Sequence, residues 1–197
     1  MDFTPFPKIA RLMRNIVVTE KIDGTNGCIG IDADGTVLAG SRSGWITPEK
    51  DNFGFAAWVR DHADELRQLG PGRHFGEWWG AGIGRRYGLK DKRFSMFNTY
   101  RWCLHGDEPK QYPTEDPAVF KSQTRLPACV GLVPILYEGP FDMDLVTLHL
   151  GELAHWGSRA APGFMDPEGI VVFHSASGSL FKRTIKNDDI AKGKATP

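Results

Sequence analysis

The chain has 197 residues and a mass of 21.9 kDa, with 24 Lys plus Arg balancing 24 Asp plus Glu, and it is 41% hydrophobic and 24% charged. That length suits one globular domain with a real core, and the composition excludes disordered, collagen-like and membrane-spanning classes. Zero formal charge argues against a histone-like or tail-like nucleic-acid binder but leaves room for a local basic site.

The first residues, MDFTPFPKIARLMRN, hold no apolar stretch before a small-residue cleavage site, so they do not read as a signal peptide and a cytoplasmic protein is expected. Residues 16–22 (IVVTEKI) are rich in β-branched side chains and predict a strand. Residues 27–41 predict a hairpin, with Asp32-Ala33-Asp34-Gly35 supplying the turn. From Asp51 to Leu69 the apolar residues Ala56, Val59, Ala63 and Leu66 recur every three or four positions, which predicts a helix capped at Asp51 or Asn52 and stopped by Gly70. Strands are predicted at 73–79, 94–102, 129–138, 169–174 and 179–185, with Ser175 to Gly178 turning the last pair, and a second helix at 145–156. Between Gly106 and Pro127 four prolines stand among polar residues, as in a long surface loop. Strands outnumber helices and neighbours are hairpin-like, so the expected class is α+β with largely antiparallel sheets. Cys28, Cys103 and Cys129 are odd in number and far apart, which fits reduced core thiols. The six histidines show no metal-binding spacing.

The most informative segment is Thr19-Glu20-Lys21-Ile22-Asp23-Gly24-Thr25-Asn26, a lysine at the end of an apolar strand entering a tight polar turn. Such a lysine can act as a nucleophile where neighbouring cations and partial burial free its amine; an exposed lysine beside a turn is the plain alternative. Further along, Ser41-Arg42, Phe75-Gly76-Glu77, Phe94-Ser95-Met96-Phe97, Glu168-Gly169-Ile170-Val171-Val172 and Leu180-Phe181-Lys182-Arg183 follow in order. In that order and spacing the chain resembles the covalent nucleotidyltransferases, the superfamily of ATP-dependent DNA ligases, RNA ligases and mRNA capping enzymes. The first segment resembles motif I, whose lysine takes a nucleoside monophosphate as a phosphoramidate, and the later ones resemble a basic residue near the substrate phosphate and motifs III, IIIa, IV and V. The resemblance spans residues 17 to about 186. Glu20 and the Gly24-Thr25-Asn26 run are similar to RNA ligases of the double-strand-sealing type, where DNA ligases and capping enzymes usually place an arginine two positions beyond the glycine.

The resemblance implies an ATP-dependent RNA ligase built from two sheets flanking an ATP cleft, with a few helices. Lys21 would be the nucleophile, with Lys182 and Glu168 as its catalytic partners. Glu20, Asp23, Gly24, Asn26, Arg42, Glu77, Phe97, Lys182 and Lys186 would line the ATP site. In that site Glu77 would take the ribose hydroxyls, Phe97 would stack on adenine, Asn26 would contact the phosphate or the RNA side, and Glu168 would hold Mg²⁺, with Mn²⁺ as an alternative. The expected partners are ATP and RNA ends or a nicked duplex, with no membrane. Motif V departs from the family, because Thr184 stands where a second lysine belongs and Lys186 or Lys192 would replace it. The chain also ends shortly after motif V, which implies one adenylyltransferase domain over 1–197 without an OB-fold or other C-terminal domain, and nucleic-acid grip helped by a partner protein. Arg85, Arg86, Lys90, Lys92 and Arg93 against Asp91 form a local basic excess suited to a nucleic-acid backbone. Gly80-Ala81-Gly82-Ile83-Gly84 fits neither a dinucleotide fingerprint nor a Walker A loop and reads as a flexible turn. A minimal DNA ligase, and a nucleotide- or RNA-binding module that keeps the fold without turnover, are the rival readings.

Overall fold

A computed structural model describes residues 1–102 and 126–188. Cys103, Lys192 and nearly all of the proline-rich loop lie outside the described residues.

Two sheets carry the molecule. The first has four antiparallel strands in the order β10 (Ser179–Thr184), β9 (Gly169–His174), β1 (Asn15–Lys21), β8 (Ile135–Pro140). The second has six, in the order β4 (Trp45–Ile46), β3 (Val37–Gly40), β2 (Thr25–Ile31), β5 (Gly72–Gly80), β6 (Lys92–Met96), β7 (Gly131–Leu132), antiparallel except for the β6–β7 pair. The expected α+β class with largely antiparallel sheets is what the chain forms.

Each sheet is packed by helix on one face. Ile16, Val18, Ile170 and Val172 project from the four-stranded sheet onto Val146 and Leu153 of helix α4 (Met143–Trp156). Asp142 starts this helix, its carboxylate accepting the Asp144 and Leu145 amides at 2.8 and 3.3 Å, so it begins two residues before the predicted start. On the six-stranded sheet, Ile29, Trp78, Phe94 and Met96 pack on Phe55, Ala56, Val59 and Leu66. A third cluster of Ile22, Trp79, Tyr87, Val133 and Ala161 lies beneath the turn that follows β1.

Three predicted boundaries shift, each for a local reason. The helix expected over 51–69 splits into α1 (Phe55–Asp61), α2 (Ala63–Leu66) and a 3₁₀ turn (Arg67–Leu69) at His62, whose φ of −108° and ψ of 14° leave helical geometry while its Nδ1 meets the Trp58 carbonyl at 2.8 Å. Asp51 still serves its start, accepting the Ala56 and Ala57 amides at 2.7 and 3.0 Å. The strand expected over 94–102 ends at Met96, after which Asn98 accepts the Arg101 amide and opens helix α3 (Thr99–Trp102). The strand expected over 129–138 is two, β7 and β8, divided near Pro134 so that the chain passes from one sheet to the other. The 27–41 hairpin forms as read, with Gly35 at φ 85° donating to Asp32.

Candidate active site

Strand alternation sorts the residues around Lys21. Ile16, Val18 and Glu20 turn towards the buried side of β1, while Val17, Thr19 and Lys21 take the other face. Lys21 therefore stands at the strand end on the open face, where its Nζ donates to Glu168 at 2.6 Å. Glu168 precedes β9, the strand that pairs with β1, and the Lys21–Gly169 register brings the two side chains together.

Glu20, expected among the ATP contacts, goes the other way. Its carboxylate is buried and accepts the Ser158 hydroxyl at 2.6 Å and the Arg159 and Ala160 amides at 2.8 Å each. Burial raises its pKa and the three hydrogen bonds oppose that shift. One residue from the nucleophile, period-two alternation commits this side chain to holding the 158–161 turn.

The turn after Lys21 is fixed from three directions. Both oxygens of Glu77 are used: Gly24 N–H donates to one at 3.1 Å and Asn26 Nδ2 to the other at 2.9 Å. A side chain at position 24 would place its Cβ 2.5 Å from the Trp78 carbonyl and 2.8 Å from Trp79 Cβ, so the sheet's close approach requires glycine. Thr25 accepts Asn52 Nδ2 at 2.8 Å, which gives each residue of the G-T-N run a partner. Asp23 is clasped by the 80–88 segment, since its amide donates to the buried Tyr87 hydroxyl at 2.8 Å and its carboxylate accepts the Arg85 amide at 3.1 Å. Burial pushes the Tyr87 phenol pKa up, so the group stays a neutral hydroxyl.

The glycine-rich stretch read as a flexible turn is thus a structured clamp. A Cβ at Gly84, where φ is 51°, would lie 2.8 Å from both the Asp23 carbonyl and its carboxylate, and Arg86 and Tyr87 also take positive φ of 60° and 50°. Arg85 turns inward, 3.6 Å from Asp23 and 2.6 Å from Asp166, and Lys186 reaches the same Asp166 at 2.7 Å. Lys92 donates to the Phe53 carbonyl at 2.7 Å and Arg93 pairs with Asp91 at 2.8 Å, which leaves Arg86 and Lys92, of these four, as the exposed cations without an ion-pair partner among the described residues. Arg85 is drawn in from the predicted basic stretch, while Arg86, Lys92 and Arg93 stay exposed.

Around Lys21 the remaining predicted residues fall at different depths. Lys182 lies exposed on the open face, on the Thr19–Val171–Lys182 rung next to the Lys21–Gly169–Thr184 rung. The position of the absent second motif V lysine is therefore on the nucleophile's own rung, and Thr184 fills it, its hydroxyl donating to the Lys186 carbonyl at 2.9 Å. Arg42 is exposed in the β3–β4 turn, and Phe97, whose amide donates to the Phe75 carbonyl, extends the β5–β6 pairing on the face that carries Glu77. Sequence reasoning missed Asn52, Tyr87, Ser158 and Asp166; no motif marks them, because each is brought in from a distant segment.

Glu77 titrates unusually. Burial pushes it from 4.5 up to about 7, against the pull of Lys21 and its hydrogen bonds from Asn26 and Gly24, while Glu168 adds to the rise. A raised carboxyl pKa favours the protonated folded state, so the chain loses stability as pH climbs from 4.5 through 7. Glu77→Gln is expected to remove this loss, on the order of 2–3 kcal/mol between pH 4.5 and 7, while leaving Gly24 N–H or Asn26 Nδ2 without its acceptor at every pH. Thermal melts across pH check this; a variant whose stability falls with pH as wild type's does would contradict it.

Among the described residues no cluster of three or more His, Cys, Asp or Glu side chains is placed to cage a metal ion. Glu168, the carboxylate in contact with Lys21, fits a hydrated Mg²⁺-type ion held mainly by substrate phosphates and water.

The sequence matches the RNA ligase family over residues 14–187. No curated protein matches it. Among solved structures it is similar to a Naegleria gruberi RNA ligase mutant with AMP and Mn (TM-score 0.55, 18% identity, 88% of this chain and 50% of that one). It is similar to another mutant of that ligase with ATP and Mn (0.56, 19%, 89% and 51%) and to an archaeal ATP-dependent RNA ligase (0.56, 20%, 92% and 48%). The chain spans about half the length of these ligases, and what they share with it is the nucleotidyltransferase fold of two sheets with few helices. A match that takes in both sheets, the Lys21 turn and the Glu168 strand assigns this chain to the RNA ligase family.

Proposed function

We propose that the protein is the adenylyltransferase core of an ATP-dependent polynucleotide ligase, acting on RNA ends through a lysyl-AMP intermediate. The observation that carries this reading is the Lys21–Glu168 pair at 2.6 Å on an open face, beside a turn that Glu77 and Tyr87 hold rigid. Lys21 must shed a proton to solvent before it attacks, and Glu168, in contact, orients its amine. The lysine nitrogen then bonds to the α-phosphorus of ATP as the α–β bridging bond breaks and pyrophosphate leaves. In-line placement and charge neutralisation supply most of such a rate enhancement, which is why a fixed turn and nearby cations matter more here than further acid–base groups.

Exposed Lys182 and Arg42 are the cations offered to the phosphates. Lys186 joins them only by releasing Asp166. A divalent ion at Glu168 would neutralise phosphate charge when bound. Glu77 would orient the ribose and Phe97 the base, and Asp23 and Gly24 would serve by fixing the turn. The AMP would pass to a 5′-phosphate and a 3′-hydroxyl would displace it.

The test is sealing of matched pre-adenylylated nicks that differ only in the sugar of the terminal 3′-hydroxyl nucleotide, since the 2′-hydroxyl is how a protein tells RNA from DNA. Faster sealing with the ribonucleotide is the expected result. Equal rates on all-DNA nicks would favour a DNA ligase.

A further inference from the structure

The face of the six-stranded sheet that carries Glu77 and Asn26 continues past them into a shelf of exposed aromatic side chains. Directly opposed residues in antiparallel strands share a face, so Asn26–Glu77, Cys28–Phe75 and Gly30–Arg73 lie in line across β2 and β5. Gly40 opposes Cys28 from β3, and Trp45 opposes Gly40 from β4. Trp45 is 52% exposed and Phe75 is 55% exposed, against the near-complete burial of Trp78 and Trp79 in the same sheet.

Glycine makes the shelf. A Cβ at Gly30 would lie 2.5 Å from the Trp45 indole, and one at Gly40 would lie 3.1 Å from it, so the ring rests on bare backbone at both positions. One side of the indole is thus supported by the sheet while the side chain stays half open to solvent. The Arg73 guanidinium stands 5.9 Å from the ring centroid, near the limit of a cation–π contact. Arg73 is exposed and has no carboxylate partner among the described residues. Apolar rings left open beside such a cation suit an anionic ligand with flat π-faces, and they suit a neutral protein surface poorly.

Arg73 stands four positions before Glu77 on β5, or about 13 Å of extended strand. The shelf is therefore continuous with the nucleotide site but displaced from Lys21. We infer that Trp45, Phe75 and Arg73 form a stacking platform for an unpaired base of the polynucleotide strand, one or more nucleotides from the reacting end. This rests on the ligase reading for its substrate.

The probe is a fluorescent oligoadenylate of about a dozen nucleotides, long enough for a single-strand site, in ribo and deoxy forms, with an abasic strand of equal length as control. Binding is read by anisotropy without ATP, and Lys21 labelling by intact mass with ATP. Trp45→Ala is expected to weaken oligoadenylate binding about 5- to 150-fold, the range for loss of one stacked base. Trp45→Phe should recover most of that loss, and abasic-strand binding and Lys21 labelling should stay at wild-type levels. Weakening of both sugar forms alike marks the base as the recognised group, and weakening of one alone adds a sugar contact to the same platform. Failure of wild type to bind oligoadenylate, unchanged binding by Trp45→Ala, or equal loss on the abasic strand would overturn the inference. So would a fall in labelling, which would move the shelf into the ATP site, or a halving of solution mass in Trp45→Ala, which would make it an interface between two copies. Oligoadenylate binding without any AMP adduct would leave the platform standing and remove the ligase reading.

Discussion

Glu168→Ala is expected to slow formation of the AMP adduct by roughly 10²-fold or more, the cost of removing one preorganised electrostatic partner from a phosphoryl-transfer site. Glu168 contacts the Lys21 amine at 2.6 Å and is the carboxylate placed for a divalent ion, so the substitution removes both the group that orients the amine and the ion's protein ligand. Glu168→Gln separates the two roles, because a neutral amide still positions Lys21 but cannot attract a cation strongly. It should fall close to the alanine variant. Rapid-quench labelling with ATP at saturating Mg²⁺ measures this, and near wild-type rates for both variants would remove Glu168 from the reaction.

Glu20→Ala is expected to damage stability where Glu168→Ala damages chemistry. Three donors, the Ser158 hydroxyl and two amides, lose their acceptor in a buried setting. Such a loss costs about 3–5 kcal/mol and lowers Tm by roughly 10 °C for a chain of this size. Glu20→Gln keeps one acceptor oxygen and should fall between. Below both melting temperatures, Glu20→Gln should still label Lys21, since the carboxylate faces away from the nucleophile's side of β1. A Glu20→Ala protein that melts like wild type yet fails to bind ATP would return Glu20 to the ATP site.

The contrast between these adjacent residues shows what was legible in the sequence. The strand, the turn, the order of motifs and the two-sheet class can all be read from local pattern, because β-branched alternation and turn residues act over a few positions. Motif I marks Lys21 and Glu20 alike, and only the pleat tells that they part to opposite faces. The helix over 51–69 carries a sound apolar period, but its break at His62 lies in that residue's own backbone angles, which the period does not report. The segment from Gly80 to Gly88 has the composition of a loose basic loop. Its role as a clamp comes from Asp23 and Asp166, distant in the chain, whose carboxylates turn Arg85 inward. Trp45 shows the same limit in reverse: nothing in its own neighbourhood says it will sit open on Gly30 and Gly40, since that requires the register of three strands.

The most direct test of the account is the intact mass of the protein after incubation with ATP and Mg²⁺, with the site mapped by peptide analysis. Wild type should gain the mass of one AMP on Lys21, through a bond that acid cleaves and alkali spares, and Lys21→Ala should gain nothing. An adduct that persists in Lys21→Ala, or a wild type that never takes up AMP, would contradict the account.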